Sequence, residues 1–181
     1  MSVPYTSYES QVLQCAINGL EASPTWLGIL PSGYAAADCI LESVGGLNPL
    51  INTQTSATAV SGRTFSVPLP PTPPTVPFCL IHQTEFPHPM VANGSWGGSG
   101  EIYFRIYLPQ VAGDAPYEIL RRVRNVVGGI VADIQPLRGQ VTPFPFFFNF
   151  DIGMKGHSIL DPTSDLFGYC TADLALTWRA P

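Results

Sequence analysis

Apolar residues along this chain recur with two periods, and the two periods predict different elements. From Glu101 to Leu108 the even positions, Ile102, Phe104, Ile106 and Leu108, are apolar, while Glu101, Tyr103, Arg105 and Tyr107 carry polar groups. That alternation predicts a half-buried strand. Tyr169 to Trp178 repeats it, with Cys170, Ala172, Leu174, Leu176 and Trp178 on one face. Phe78 to His82 is a short continuous apolar run, which predicts a strand buried on both faces. Phe144 to Asp151 reads as an aromatic strand, and Thr64 to Val67 as a short one. Helical spacing governs two other stretches. Leu13, Ala16, Ile17 and Leu20 form one stripe behind Thr6 and Glu9, which have capping-box spacing, and Ser23-Pro24 stops that helix. Ile119, Val123, Val126, Val127, Ile130 and Ile134 form a longer stripe, predicting a helix from Pro116 to Ile134 with Asp114 as its cap. A shorter helix over Tyr34 to Val44, ended by Gly45-Gly46, is also expected.

The order of elements predicts an α+β fold: a mostly antiparallel or mixed sheet of four to five strands with two main helices packed on one face. The predicted core is Leu13, Ile17, Leu80, Ile102, Phe104, Val123, Val127, Ile130, Leu174 and Leu176. Residues 1–181 are expected to form one domain. Pro68 to Pro77 is a stiff, extended connector that cannot donate to a sheet ladder. The region at about 25–62 reads as an atypical loop or arm. Two connections look long for paired strands, Phe86 to Gly100 and Gly153 to Gly168. Trp96 has little of its own loop to pack on, so a partner surface is its expected resting place. Gly128-Gly129 is costly inside a helix and marks either a close neighbour or a weak point.

Composition narrows the function. Charged residues are only 12% of the chain against 45% hydrophobic, where about 25% charged is usual. Few charges imply surface hidden against lipid or protein. No apolar run approaches the roughly 18 residues of a membrane span, and Met1 to Glu9 shows no basic region followed by an apolar stretch. Burial in an assembly is the expectation, without membrane. Lys155 is the sole lysine beside seven arginines, and guanidinium suits interfaces because it gives up water more readily. A net charge of −5 argues against nucleic-acid binding through a basic patch. Cys15, Cys39, Cys79 and Cys170 lie far apart and read as buried free thiols.

Chemistry is hard to build from these residues. His82, His88 and His157 are the only histidines. Cys79 and His82 would face opposite ways along a strand. There is no glycine-flanked serine elbow and no phosphate-binding glycine loop. His157, Asp161 and Asp165 could gather around a metal, but they lack the calcium-loop pattern and read as solvated turn residues. No enzyme activity and no cofactor are expected. Arg121, Arg122 and Arg124 lie outside much of the helix stripe and are candidates to pair with a neighbour's carboxylates. With Trp96, His157, Asp161 and Asp165 they make up the predicted subunit or tail interface.

The chain resembles the tail terminator (tail completion) proteins of long-tailed bacteriophages, of the lambda minor tail protein U type. The residues that carry the resemblance are Phe78 to His82 entering after prolines, the strand Glu101 to Leu108, the helix Pro116 to Ile134, the closing hairpin Phe146 to Trp178, and the turn into Phe167-Gly168-Tyr169. It covers roughly residues 1–23 and 76–181, while residues 25–75 are longer and richer in proline than the family pattern. The resemblance implies a structural virion protein, assembled in the host cytoplasm. It would form a homo-oligomeric ring, usually hexameric, that caps the tail tube and joins it to the head. Tail-tube and head-completion or neck proteins would be its partners, and DNA would pass through the ring without sequence-specific binding. The alternatives are a tail-tube or other neck or minor virion subunit, and then a small cytosolic enzyme or binding module.

Overall fold

Ser23-Pro24 does two jobs where the sequence suggests one. Helix α1 (Tyr8–Glu21) ends there, with the Ser23 amide donating to the Leu20 carbonyl at 3.1 Å. A second helix, α2 (Pro24–Ile29), begins at once: Ser23 Oγ accepts from the Trp26 amide at 3.2 Å, and Pro24 occupies the first turn, where a missing amide costs nothing. The structure, a computed structural model, describes residues 8–42, 56–58, 64–66, 76–83, 99–111, 113–137, 149–159 and 168–179. Thr6, the prolines from 68 to 74 and most of the first long connection therefore lie outside the described residues.

The helix expected over Tyr34 to Val44 does not form in its described part. A 3-10 turn (Ala36–Cys39), with Asp38 accepting from the Ala35 amide, leads instead into strand β1 (Ile40–Glu42). Cys39, Ile40 and Leu41 are consecutive and all buried, and Ile40 to Leu41 pair in parallel with Cys79 to Leu80 of β4. The region read as an arm thus holds α2 and β1, and further on β2 (Ser56–Thr58), which pairs antiparallel with β3 (Thr64–Ser66).

Five strands form the main sheet in the order β1-β4-β5-β7-β6. They are β1, β4 (Phe78–Gln83), β5 (Ser99–Pro109), β6 (Asn149–Ile159) and β7 (Tyr169–Arg179). β1 runs parallel to β4 and every other pairing is antiparallel, so the sheet is mixed. The fold is α+β, as its element order predicts. Cys79, Ile106 and Ala172, then Ile81, Phe104 and Leu174, align in rows across β4, β5 and β7 and face the helices. The long helix α3 (Pro116–Ile134) lies on β6 and β7, and α1 packs on α3 and β5. All six residues of the predicted α3 stripe are buried. Of the predicted core only Leu13 is half-buried; Val12 and Cys15 take the inner face of α1 instead.

Two expectations about strands need correction. Tyr107 sits at an outward position yet is buried, because its ring stacks on Phe78 with centroids 4.3 Å apart and meets Tyr169 edge-on. The second long connection is shorter than it looks. Gly153 to Ile159 continues β6 and pairs with β7 as far as Cys170, with a bulge between Met154 and Gly156. Glycines at 153 and 156 hide that strand from a propensity reading. Gly168, at φ 93°, then supplies the left-handed turn before β7.

The α2–α3 contact explains half of Gly128-Gly129. A Cβ on Gly129 would lie 2.6 Å from Thr25 Oγ1 and 3.2 Å from Thr25 Cβ. Rotating the threonine cannot clear the second contact. We expect Gly129→Ala to destabilise the protein by roughly 1–3 kcal/mol, read as a lower denaturation midpoint, despite the better helix propensity of alanine. Close by, Asp133 of α3 accepts from Ser23 Oγ at 2.6 Å and from the Thr25 amide at 2.9 Å. Burial acts to raise its pKa, but these hydrogen bonds outweigh it and leave the carboxyl below its ordinary 3.8. A depressed folded-state pKa contributes stability that is present above 3.8 and lost as pH falls through the lower folded value. Asp133→Asn should therefore flatten the loss of stability below pH 3.8, measured by urea titration against pH.

Candidate interaction surface

Three arginines enter the first turns of α3 at different angles, and the helix period separates their roles. Arg122 turns inward. Its guanidinium pairs with Asp114 at 3.1 Å and donates to the Pro109 carbonyl at 3.0 Å, tying α3 to the end of β5. Asp114 is therefore an ion-pair partner and not the helix cap. Ala115 occupies the cap position, Pro116 follows it, and Glu118 accepts from the Ala115 amide at 3.0 Å. Arg121 and Arg124 are exposed on the outer side of the helix. Of the predicted interface, these two stand at the surface while Arg122 belongs to the protomer's own framework.

Trp96, Asp161 and Asp165 lie outside the described residues. The backbone of His157 lies in β6 opposite Ala172, and its side chain is not described. Among the described residues no group of three or more His, Cys, Asp or Glu could hold a metal ion, and no helix is long and apolar enough to cross a membrane.

An apolar cleft of about 280 Å³ opens where α2, β4, β5 and α3 meet. Ile29, Pro31, Pro77, Leu108, Pro109 and Val126 line it together with Arg122. Two large side chains stand exposed on the segment joining β5 to α3 and on the first turn of that helix: Val111 at 53% and Tyr117 at 62%. Leu27 on α2 and Met154 on β6 are also exposed. The cleft leaves no mark in the sequence because its lining comes from four separate elements. Tyr117 carries a usable signal: it falls off the buried stripe of α3 and is too large to be an ordinary solvent residue.

On the sheet face away from the helices, Arg105 and Asp173 sit directly opposite across β5 and β7. Two parallel hydrogen bonds of 2.6 and 2.7 Å join them, a bidentate geometry that fixes both side chains. The hydrogen bond to Asp173 leads in pushing the Arg105 pKa up. Beside them Tyr103 donates to Glu101. Arg105 is thus held across the sheet and Tyr103 along its own strand.

The thiols are chemically quiet. All four cysteines are free and buried. Burial pushes the Cys15 thiol up to about 11 and raises Cys79 and Cys170 as well. A thiol so raised is protonated at neutral pH and is a poor nucleophile. No protein-family model matches the chain, and a search of curated proteins finds no match to it.

Proposed function

We propose that the chain is a non-enzymatic structural subunit of a tailed-bacteriophage particle. In this reading it forms a ring at the head-proximal end of the tail, stops growth of the tail tube and joins it to the head. The observation that carries the structural role is the surface. A chain with 12% charged residues uses Asp114, Asp133, Asp173 and Arg122 inside the protomer, yet leaves Tyr117, Val111, Leu27 and Met154 in solvent. Such a surface suits protein contact, since interfaces favour aromatic, methionine and arginine side chains over lysine and carboxylates. Support for the tail position comes from element order. Setting aside α2 and β1 to β3, which lie in the span the resemblance does not cover, helix α1, the β4–β5 hairpin, helix α3 and the β6–β7 hairpin come in the order it implies.

Repetition of one contact around an axis closes a ring when the rotation closes. Negative-stain images of the purified protein are expected to show closed rings. Open tubes would favour a tail-tube subunit instead. A strict monomer by light scattering at high concentration, matched by single copies in particles, would defeat the assembly reading.

A further inference from the structure

A ring of identical copies needs two different patches on each protomer, one meeting the other on the next copy. Two charges without an ion-pair partner among the described residues supply such a pair, one on the helix layer and one on the far face of the sheet. On the helix layer, the outward stripe of α3 runs through Tyr117, Arg121, Arg124 and Gly128, all exposed. Arg121 makes no ion pair with any described residue. Gly128 is mid-helix, and a Cβ there would meet nothing within 4 Å. Among the described residues nothing accounts for a residue that weakens the helix, whereas Gly129 is explained by Thr25.

On the sheet, Glu101, Thr177 and Asp151 align in one row across β5, β7 and β6. The residues of the adjoining row, Ile102, Leu176 and Ile152, are buried beneath the helices, so this row points the other way. The Thr177 hydroxyl donates to the Asp151 carbonyl. The Asp151 carboxylate is exposed and makes no ion pair with any described residue. Asp114, Asp133, Asp173 and Glu118, by contrast, are all engaged within the protomer. Lys155 sits four residues along β6, at the bulge, and makes no ion pair with Asp151.

We infer that the sheet face around Asp151 of one copy covers the outer stripe of α3 on a second copy. Asp151 then opposes Arg121, and the neighbour's backbone passes close over Gly128. This rests on the ring reading and adds which faces meet. The contact is head-to-tail: the helix layer of one copy meets the sheet edge around Asp151 of the next, with Arg121 facing Asp151. An exposed pair contributes little by itself, but desolvation between docked faces strengthens the coupling.

The test is a charge swap read by sedimentation velocity and mass photometry over a concentration series. Arg121→Glu and Asp151→Arg should each weaken self-association by about tenfold or more, and the double variant should recover to within about threefold of wild type. Gly128→Leu should also weaken association while its melting temperature stays the same or rises, because the protomer has open space there. Circular dichroism melting checks that each variant folds. Rings that persist in both single reversals, or a double variant as weak as the singles, would overturn this interface and leave the ring reading standing. A wild-type protein that never associates would overturn both.

Discussion

Phe104→Ala is expected to destabilise the protein by roughly 3–5 kcal/mol and to yield insoluble material on expression. Phe104 is fully buried at the centre of the sheet. It stands opposite Ile81 on β4 and Leu174 on β7, beneath the helix layer. Cutting the ring away removes its transfer free energy and leaves a cavity that two flanking strands, held by their ladders, cannot collapse to fill. A typical domain is stable by about 5–15 kcal/mol, so the loss is a large part of the whole. Tyr103, the preceding residue, points to the other face and is half-buried, and Tyr103→Ala should cost far less, on the order of 1 kcal/mol. Urea unfolding of both variants, refolded if necessary, makes the comparison. Normal solubility and an unchanged midpoint for Phe104→Ala would contradict the facing of β5.

That contrast is legible in the amino-acid sequence alone, because period-two alternation on β5 and β7 is long and unbroken. The same holds for α3, whose bounds and buried stripe follow from spacing. Failures cluster where local signals conflict with tertiary context. Ala36 to Leu41 has a composition compatible with helix, and only its place at the edge of β4 makes it a turn and a parallel strand. Glycines at 153 and 156 suggest a loop, yet pairing with β7 carries β6 through them. Tyr107 obeys the alternation in direction but not in exposure, because Phe78 and Tyr169 arrive from other strands to cover it. The interface residues divide for the same reason. Helical phase alone separates Arg121 from Arg122, but only the position of Asp114 and the Pro109 carbonyl shows that Arg122 is engaged internally. The row Glu101–Thr177–Asp151 depends on register across three strands, which no single strand's pattern specifies.

Trp26→Ala is expected to cost a similar roughly 3–5 kcal/mol, and it tests how α2 is held. Six residues are too few for a helix to persist alone, so α2 exists because its contacts outweigh the entropy of ordering it. Three contacts are visible. Ser23 caps it, Asp133 anchors Ser23 and Thr25, and Trp26 is fully buried in the core. Trp26 supplies most of the apolar area, so its truncation should release residues 24–29 from α3 and raise their hydrogen-exchange rates. Trp26→Phe separates area from polarity. The indole Nε1 has no hydrogen-bond partner among the described residues, and an unpaired buried donor costs about 1–3 kcal/mol. Phenylalanine removes that donor but leaves part of the site empty, a loss of comparable size. The two effects oppose each other, so Trp26→Phe should lie within about 1.5 kcal/mol of wild type and cost less than half as much as Trp26→Ala. Equal losses for the two variants would mean that the N–H is satisfied after all, by a buried water, and that its hydrogen bond holds α2 as firmly as the ring's area does.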